Sequence, residues 1–127
     1  MSNKRILNVG QCGFDNGNIS RMLHKHFSAE VTAADSKEEA LDLARREQFD
    51  LVLVNRQLDA DGSSGLDIIR ALQANDSLKQ LPVMLVSNYE DAQKEAVTLG
   101  ALPGFGKSAL EHPQTVSRIA AVLQATV

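Results

Sequence analysis

Leu51-Val52-Leu53-Val54, running into Asn55, is the stretch that decides the fold of this chain. A strand with one wet face alternates apolar and polar residues, so a run that is apolar at every position belongs to a strand covered on both sides. Val83-Met84-Leu85-Val86, introduced by Pro82 and closed by Ser87, has the same character. Two such runs call for helices on both faces of a parallel sheet.

The flanking sequence supplies those helices. Upstream, Ile6 to Val9 is a short apolar strand that stops at Gly10. The turn signals Cys12-Gly13 and Asn16-Gly17 make the stretch to Gly17 read as a loop. From Asn18, the residues Ile19, Met22, Leu23, His26 and Phe27 fall on one helical face. Glu30 to Ala34 reads as a second strand, and Ser36-Lys37-Glu38-Glu39 is a capping box for a helix carrying Ala40, Leu43 and Ala44, ending before Phe49. Beyond Asn55 a polar loop, Asp59 to Gly65, leads to a third helix marked by Leu66, Ile69 and Leu72. Ala92, Ala96, Val97 and Leu99 mark a fourth, stopping at Gly100. A fifth strand lies near Leu102 to Gly106, and Pro113 opens a last helix with Val116, Ile119, Ala120 and Leu123 on its buried side. The expectation is an α/β domain spanning 1–127, a doubly wound five-stranded parallel sheet with right-handed crossovers and helices on both faces. In such sheets function gathers at the carboxyl ends of the strands, here Gly10-Gln11, Asn55, Ser87 and Lys107.

Composition narrows the function classes. The chain has 127 residues, 13 Lys and Arg against 16 Asp and Glu, and a net charge of −3, which gives no electrostatic footprint for direct nucleic-acid binding. Four Phe, one Tyr and no Trp leave little to stack bases or sugars on. One cysteine cannot form an intrachain disulfide, which suits a reducing, cytoplasmic setting. Neither a signal-peptide core nor an apolar run of membrane-spanning length is present, so no membrane role is expected.

The strand ends carry a family resemblance. Phe49-Asp50-Leu51-Val52-Leu53-Val54, Gly65-Leu66, Leu81-Pro82-Val83, Ser87, Gly100-Ala101 and Lys107 follow in the order and spacing of the receiver domain of two-component response regulators, over essentially the whole chain. The resemblance implies a flavodoxin-like fold and a phosphoryl group passing from a kinase histidine to an aspartate at the third strand end. Acidic residues after the first strand would hold Mg²⁺, with a Ser or Thr and a Lys contacting the phosphoryl oxygens. Carried over by position, Ser87 and Lys107 match. The phosphoacceptor position is Asn55, whose carboxamide is no useful nucleophile, and the acidic pair falls on Gly10 and Gln11, which lack the anionic oxygens Mg²⁺ prefers. Lys107 would then stand without a matched carboxylate, which disfavours a cation. The aromatic rotor three positions before the lysine is replaced by Gly104, and Ser108 stands where the family has proline. The loop after Asn55 is about two residues longer and has Asp59 where the family has its Pro. The chain reads as a degenerate, or pseudo-, receiver with no catalytic residues, no metal and no cofactor.

What these residues do instead admits several readings. A semi-buried Lys107 needs a partner, and Asp15, Asp59 or Asp61 is within sequence reach, as is a bound anion. Asn55 reads as a strand-end residue satisfying loop amides. Asp59-Ala60-Asp61-Gly62 has acids at alternating positions before a Gly but lacks a calcium loop's outer ligands, so an Asx turn is expected. Cys12 has no base adjacent in sequence, and His24 and His26 point apart on a helix. The leading expectation is a phosphorylation-independent signalling module, not an enzyme. It would act through protein partners, or as a homodimer, on the face of the fourth helix, fifth strand and fifth helix, drawing on Tyr89, Leu102, Phe105 and Val116. The alternatives are a sensor of an anion or small metabolite in the emptied acidic pocket, and a phosphoacceptor using displaced Asp59 or Asp61.

Overall fold

The computed structural model describes residues 3–125, so the domain bounds expected at Met1 and Val127 lie outside the described residues. The elements run β1 (Arg5–Val9), α1 (Gly13–Phe27), β2 (Glu30–Ala34), α2 (Lys37–Arg46), β3 (Leu51–Asn55), α3 (Gly65–Ala74), β4 (Val83–Val86), α4 (Glu90–Thr98), β5 (Leu102–Phe105), a 3-10 turn (Lys107–Ala109) and α5 (Pro113–Ala125). The strands form one sheet in the order β2-β1-β3-β4-β5, every pairing parallel.

The two apolar runs sit where their composition demands. β3 and β4 are buried at every position. Because side chains alternate across a strand, each run feeds two cores. Leu7, Val9, Val52, Val54, Val83 and Leu85 pack with α2, α3 and α4, through Ala40, Ala44, Ile68, Ile69, Leu72 and Ala96. Ile6, Leu51, Leu53, Met84, Val86 and Phe105 pack on the other face with α1 and α5, through Ile19, Met22, Leu23, Ile119 and Leu123. The edge strand β2 is open over most of its length. Ser36 caps α2 by accepting the Glu39 amide at 3.1 Å, while Glu39 reaches back to the Asp35 amide at 2.7 Å.

Several sequence expectations are corrected. α1 starts at Gly13, not after Gly17: Cys12 is its N-cap, with Sγ accepting the Asp15 amide at 3.4 Å, and Asn16-Gly17 is helical. Local turn propensity at Asn-Gly loses here to an established cap and to burial of the face that follows. His26 is exposed and bonds Glu111 at 2.8 Å rather than entering the core. On α4 only Ala96 is buried and Val97 is 43% exposed, because the helix lies beside the short edge strand β5 rather than over the sheet centre. On α5 Thr115 is buried, while Val116 and Ala120 are only half-buried. Lys107 lies beyond β5, at the start of the 3-10 turn. Phe105 is 3% exposed and belongs to the α1/α5 core, so it cannot contribute to a partner face.

Pairing of β4 with β5 is irregular. Met84 faces Leu102 and Val86 faces Phe105, so the shift between them gives β5 an extra residue within Pro103-Gly104. Pro103 has no N–H to give a ladder, which is why it is tolerated only in such an edge position.

Candidate functional site

At the carboxyl edge of the sheet the ends of β1, β3 and β4 meet. Gly10 turns the chain out of β1 with φ +79°, a left-handed conformation that a side chain would strain, and a Cβ there would fall 2.2 Å from Leu58 Cδ2. Its N–H donates to Ala34 O at 2.8 Å, and its carbonyl accepts the Asp59 amide at 2.9 Å and Asn55 Nδ2 at 3.0 Å. Asn55 Nδ2 also donates to Gln57 O at 2.7 Å. Carbonyl oxygens only accept, so the amide orientation is fixed by its partners and both Asn55 protons are used. The sequence reading had Asn55 receiving loop amides; it instead satisfies loop carbonyls.

Gln11 is buried, and neither end of its carboxamide has a hydrogen-bond partner among the described residues; Asn8 Oδ1 shares that condition, although Asn8 Nδ2 donates to Asn16 at 2.8 Å. Lys107 Nζ lies 2.9 Å from Asp15 Oδ2. Of the three acids expected as partners for Lys107, it is Asp15, delivered by the early start of α1, that neutralises it, so the lysine left unmatched by position is not unopposed. The Lys107 ammonium holds the Asp15 carboxyl below the usual aspartate value, outweighing the raising effect of burial, with help from the Cys12 thiol. Asp59 and Asp61 do not join this cluster. Asp61 Oδ1 accepts the Ser63 amide at 2.9 Å and the Ser63 hydroxyl at 2.7 Å, an Asx turn that also lowers its pKa. Ser87 is buried, its hydroxyl accepting the Tyr89 amide at 3.1 Å.

A cavity of about 410 Å³ opens between these groups, lined by Asn55, Arg56, Ser87, Asn88, Tyr89 and Lys107 together with Gln57 and Val86. Its lining carries two cations and no carboxylate. The Arg56 guanidinium stacks 4.7 Å from the exposed Tyr89 ring, bridging the loops that follow β3 and β4. Among the described residues no three His, Cys, Asp or Glu side chains are grouped to hold a metal ion. Sequence reasoning missed Arg56, Asn88 and Gln93. Arg56 and Asn88 were legible as the residues just after the strand-end positions Asn55 and Ser87.

Comparison with known proteins accords with this geometry. The family model described as the response regulator receiver domain matches residues 16–113. The chain belongs to the response-regulator receiver family. It is 30% identical to the polar-differentiation response regulator DivK of Brucella anthropi over 86 residues, which is 67% of this chain and 68% of that one. Among solved structures, a putative response regulator from Chloroflexus aurantiacus superposes with a TM-score of 0.85 at 21% identity, covering 97% of this chain and 99% of that one. A response regulator from Burkholderia pseudomallei, solved with a phosphorylated aspartic acid, calcium ion and citrate, gives a TM-score of 0.71 at 27% identity, covering 96% and 67%. This receiver domain of two-component signalling thus has the flavodoxin-like fold, with Asn55 at the end of its third strand. No described helix is long and apolar enough to cross a membrane.

Two outcomes follow for this cluster. Asn55→Asp places a buried carboxylate against the Gly10 and Gln57 carbonyls. It should lower stability at pH 7 by about 1–3 kcal/mol in urea unfolding, the loss shrinking in acid as the carboxyl regains a proton to donate. Asp15→Asn should also be less stable than wild type at neutral pH. Because the folded Asp15 pKa is depressed, that contribution is present above the ordinary value of 3.8 and is lost as pH falls through the folded pKa, so the two unfolding curves should converge there.

Proposed function

We propose that this receiver domain is a degenerate one that signals through protein contacts without being phosphorylated. The observation that carries the reading is the Asn55 carboxamide, which is buried, not nucleophilic, and has both protons committed to backbone carbonyls. Gly10 and Gln11 bring no charge to the same edge, and Asp15 is held by Lys107. Asp59 and Asp61 do not line the cavity, which leaves a displaced phosphoacceptor poorly placed for in-line transfer.

Output through the α4–β5–α5 face fits the same picture of a cytoplasmic, non-enzymatic module. Leu102 is 39% exposed and Val97 43% exposed beside a cleft of about 520 Å³ that is also lined by Lys94, Pro103 and Arg118. Tyr89 stands at the start of this surface and Val116 is half-buried on α5. This face supports protein partners or a homodimer; the −3 net charge argues against direct nucleic-acid contact.

Intact mass after exposure to a small phosphodonor with millimolar Mg²⁺ should show no added phosphoryl group, and calorimetry should show no Mg²⁺ binding. A phosphorylated species would overturn the reading. Leu102→Asp should weaken partner capture or reduce the mass in light scattering, and an unaltered result in both would remove the face from the proposal.

A second reading, an anion sensor, is favoured by the lining of the 410 Å³ cavity, where Arg56 stands with the Ser87 hydroxyl and the Asn88 amide, beside the Lys107–Asp15 pair. Titration with inorganic phosphate, followed by backbone NMR, should then shift the 55–57 and 87–89 amides, and Arg56→Ala should abolish the shifts. Unmoved wild-type amides would eliminate the sensor.

A further inference from the structure

The place that an aromatic at position 104 would use is not empty. Gln93 reaches across from α4, and its Nε2 lies 2.9 Å from Leu85 O, 3.1 Å from Ser87 O and 3.3 Å from Phe105 O. Its Oε1 accepts the Gly104 amide at 3.2 Å. A Cβ on Gly104 would fall 2.1 Å from Leu85 O and 2.9 Å from Gln93 Oε1. The glycine is thus a close-approach position that lets the carboxamide in, and the backbone of β4 itself bars any larger residue.

The need for this contact arises in the strand. Pro103 has no N–H and the Gly104 N–H turns to Gln93 Oε1, so neither residue of the β5 bulge gives its amide to the ladder, which resumes where Phe105 pairs with Val86. Gln93 gives the Gly104 amide its acceptor and adds a side-chain donor at Leu85 O. On the other side, Arg118 Nη1 from α5 donates to Gly104 O at 2.6 Å. Both polar groups of one residue are therefore held by side chains from two helices. Further along, Asn88 Oδ1 accepts the Ser108 amide at 3.2 Å and the Ser108 hydroxyl at 3.1 Å, tying the loop after β4 to the 3-10 turn.

We propose that Gln93 is a positioning residue that locks α4 onto β5 and holds the α4–β5–α5 face in one conformation, uncoupled from what occupies the Asn55 cavity. The proposal deepens the reading of that face as the output surface and rests on that reading for its biological meaning, though not for its test. A mobile rotor can transmit a change at the end of β4 because it has two positions. The Gln93 carboxamide, its two Nε2 protons shared among three carbonyls and its Oε1 holding the Gly104 amide, has one.

Amide hydrogen exchange on the full chain, corrected for intrinsic rates, tests this. In wild type the Gly104 and 87–89 amides should be protected, and Lys107→Ala, which disturbs the cavity, should leave Gly104 exchange unchanged. Gln93→Ala should speed exchange at Gly104 and 87–89 by roughly tenfold or more without a matching change in β1 and β3. Gln93→Glu turns a carboxylate toward three carbonyls, so its folded pKa is raised: the lock should be open at neutral pH and close again as acid restores an O–H donor. Unchanged Gly104 exchange in Gln93→Ala, equal loosening by Lys107→Ala, or no pH dependence in Gln93→Glu would each overturn the proposal. Should Gln93→Ala loosen the whole chain, the pH response of Gln93→Glu decides. A phosphorylated species in the phosphodonor experiment would defeat the earlier reading while leaving these exchange patterns intact, so the two failures are distinguishable.

Discussion

The carbonyl oxygen of Gly10 is the point on which the functional edge of the sheet depends. It accepts the Asp59 amide and an Asn55 side-chain proton, while the same residue's N–H holds Ala34 at the end of β2. Three strands and the loop beyond β3 are thereby tied to one residue, whose positive φ favours glycine and whose missing Cβ leaves the space that Leu58 fills. Buried backbone groups must find partners. Here the chain supplies them from its own amides, where a carboxylate at position 55 would repel both carbonyls. The identity of residue 55 is thus set by the backbone around it as much as by chemistry toward a phosphoryl group.

Charge at this edge follows from geometry that sequence alignment by position does not reach. Matching strand ends leaves Lys107 without a counterion, yet Asp15 lies on α1 because the helix begins at Gly13, and the two side chains meet at 2.9 Å. The pair is internally neutral. Arg56, turned against the Tyr89 ring, is the remaining formal charge lining the cavity.

The parts of this molecule legible in its sequence are those governed by burial and local chemistry. Leu51-Val52-Leu53-Val54 and Val83-Met84-Leu85-Val86 could be read because a strand covered on both faces has no room for polar residues, and Ser36–Glu39 because a capping box is a local device. The start of α1 was not legible: Asn16-Gly17 is a turn signal in isolation, and only the cap at Cys12 and the tertiary face overrule it. The exposure of Val97 is not legible, because helical spacing says which residues share a face and not how wide a surface that face meets. Gln93 is not legible because a polar residue three positions before Ala96 has no visible reason until the bulge at Pro103-Gly104 leaves an amide in need of an acceptor. At the site, Ser87 and Lys107 were legible by order and spacing, while the partner of Lys107 stayed open among three acids until the fold brought Asp15 to it.

The Gly104–Gln93 contact also constrains how this chain can change. A side chain introduced at position 104 meets the Leu85 backbone as well as the Gln93 carboxamide, so removing Gln93 first does not make room for it. Removing Gln93 alone strands the Gly104 amide. Each single step away from the present pair is therefore penalised, and an aromatic there would require the backbone contact between Gly104 and Leu85 to open as well. In terms of mutational paths, an aromatic at position 104 is hard to reach one substitution at a time.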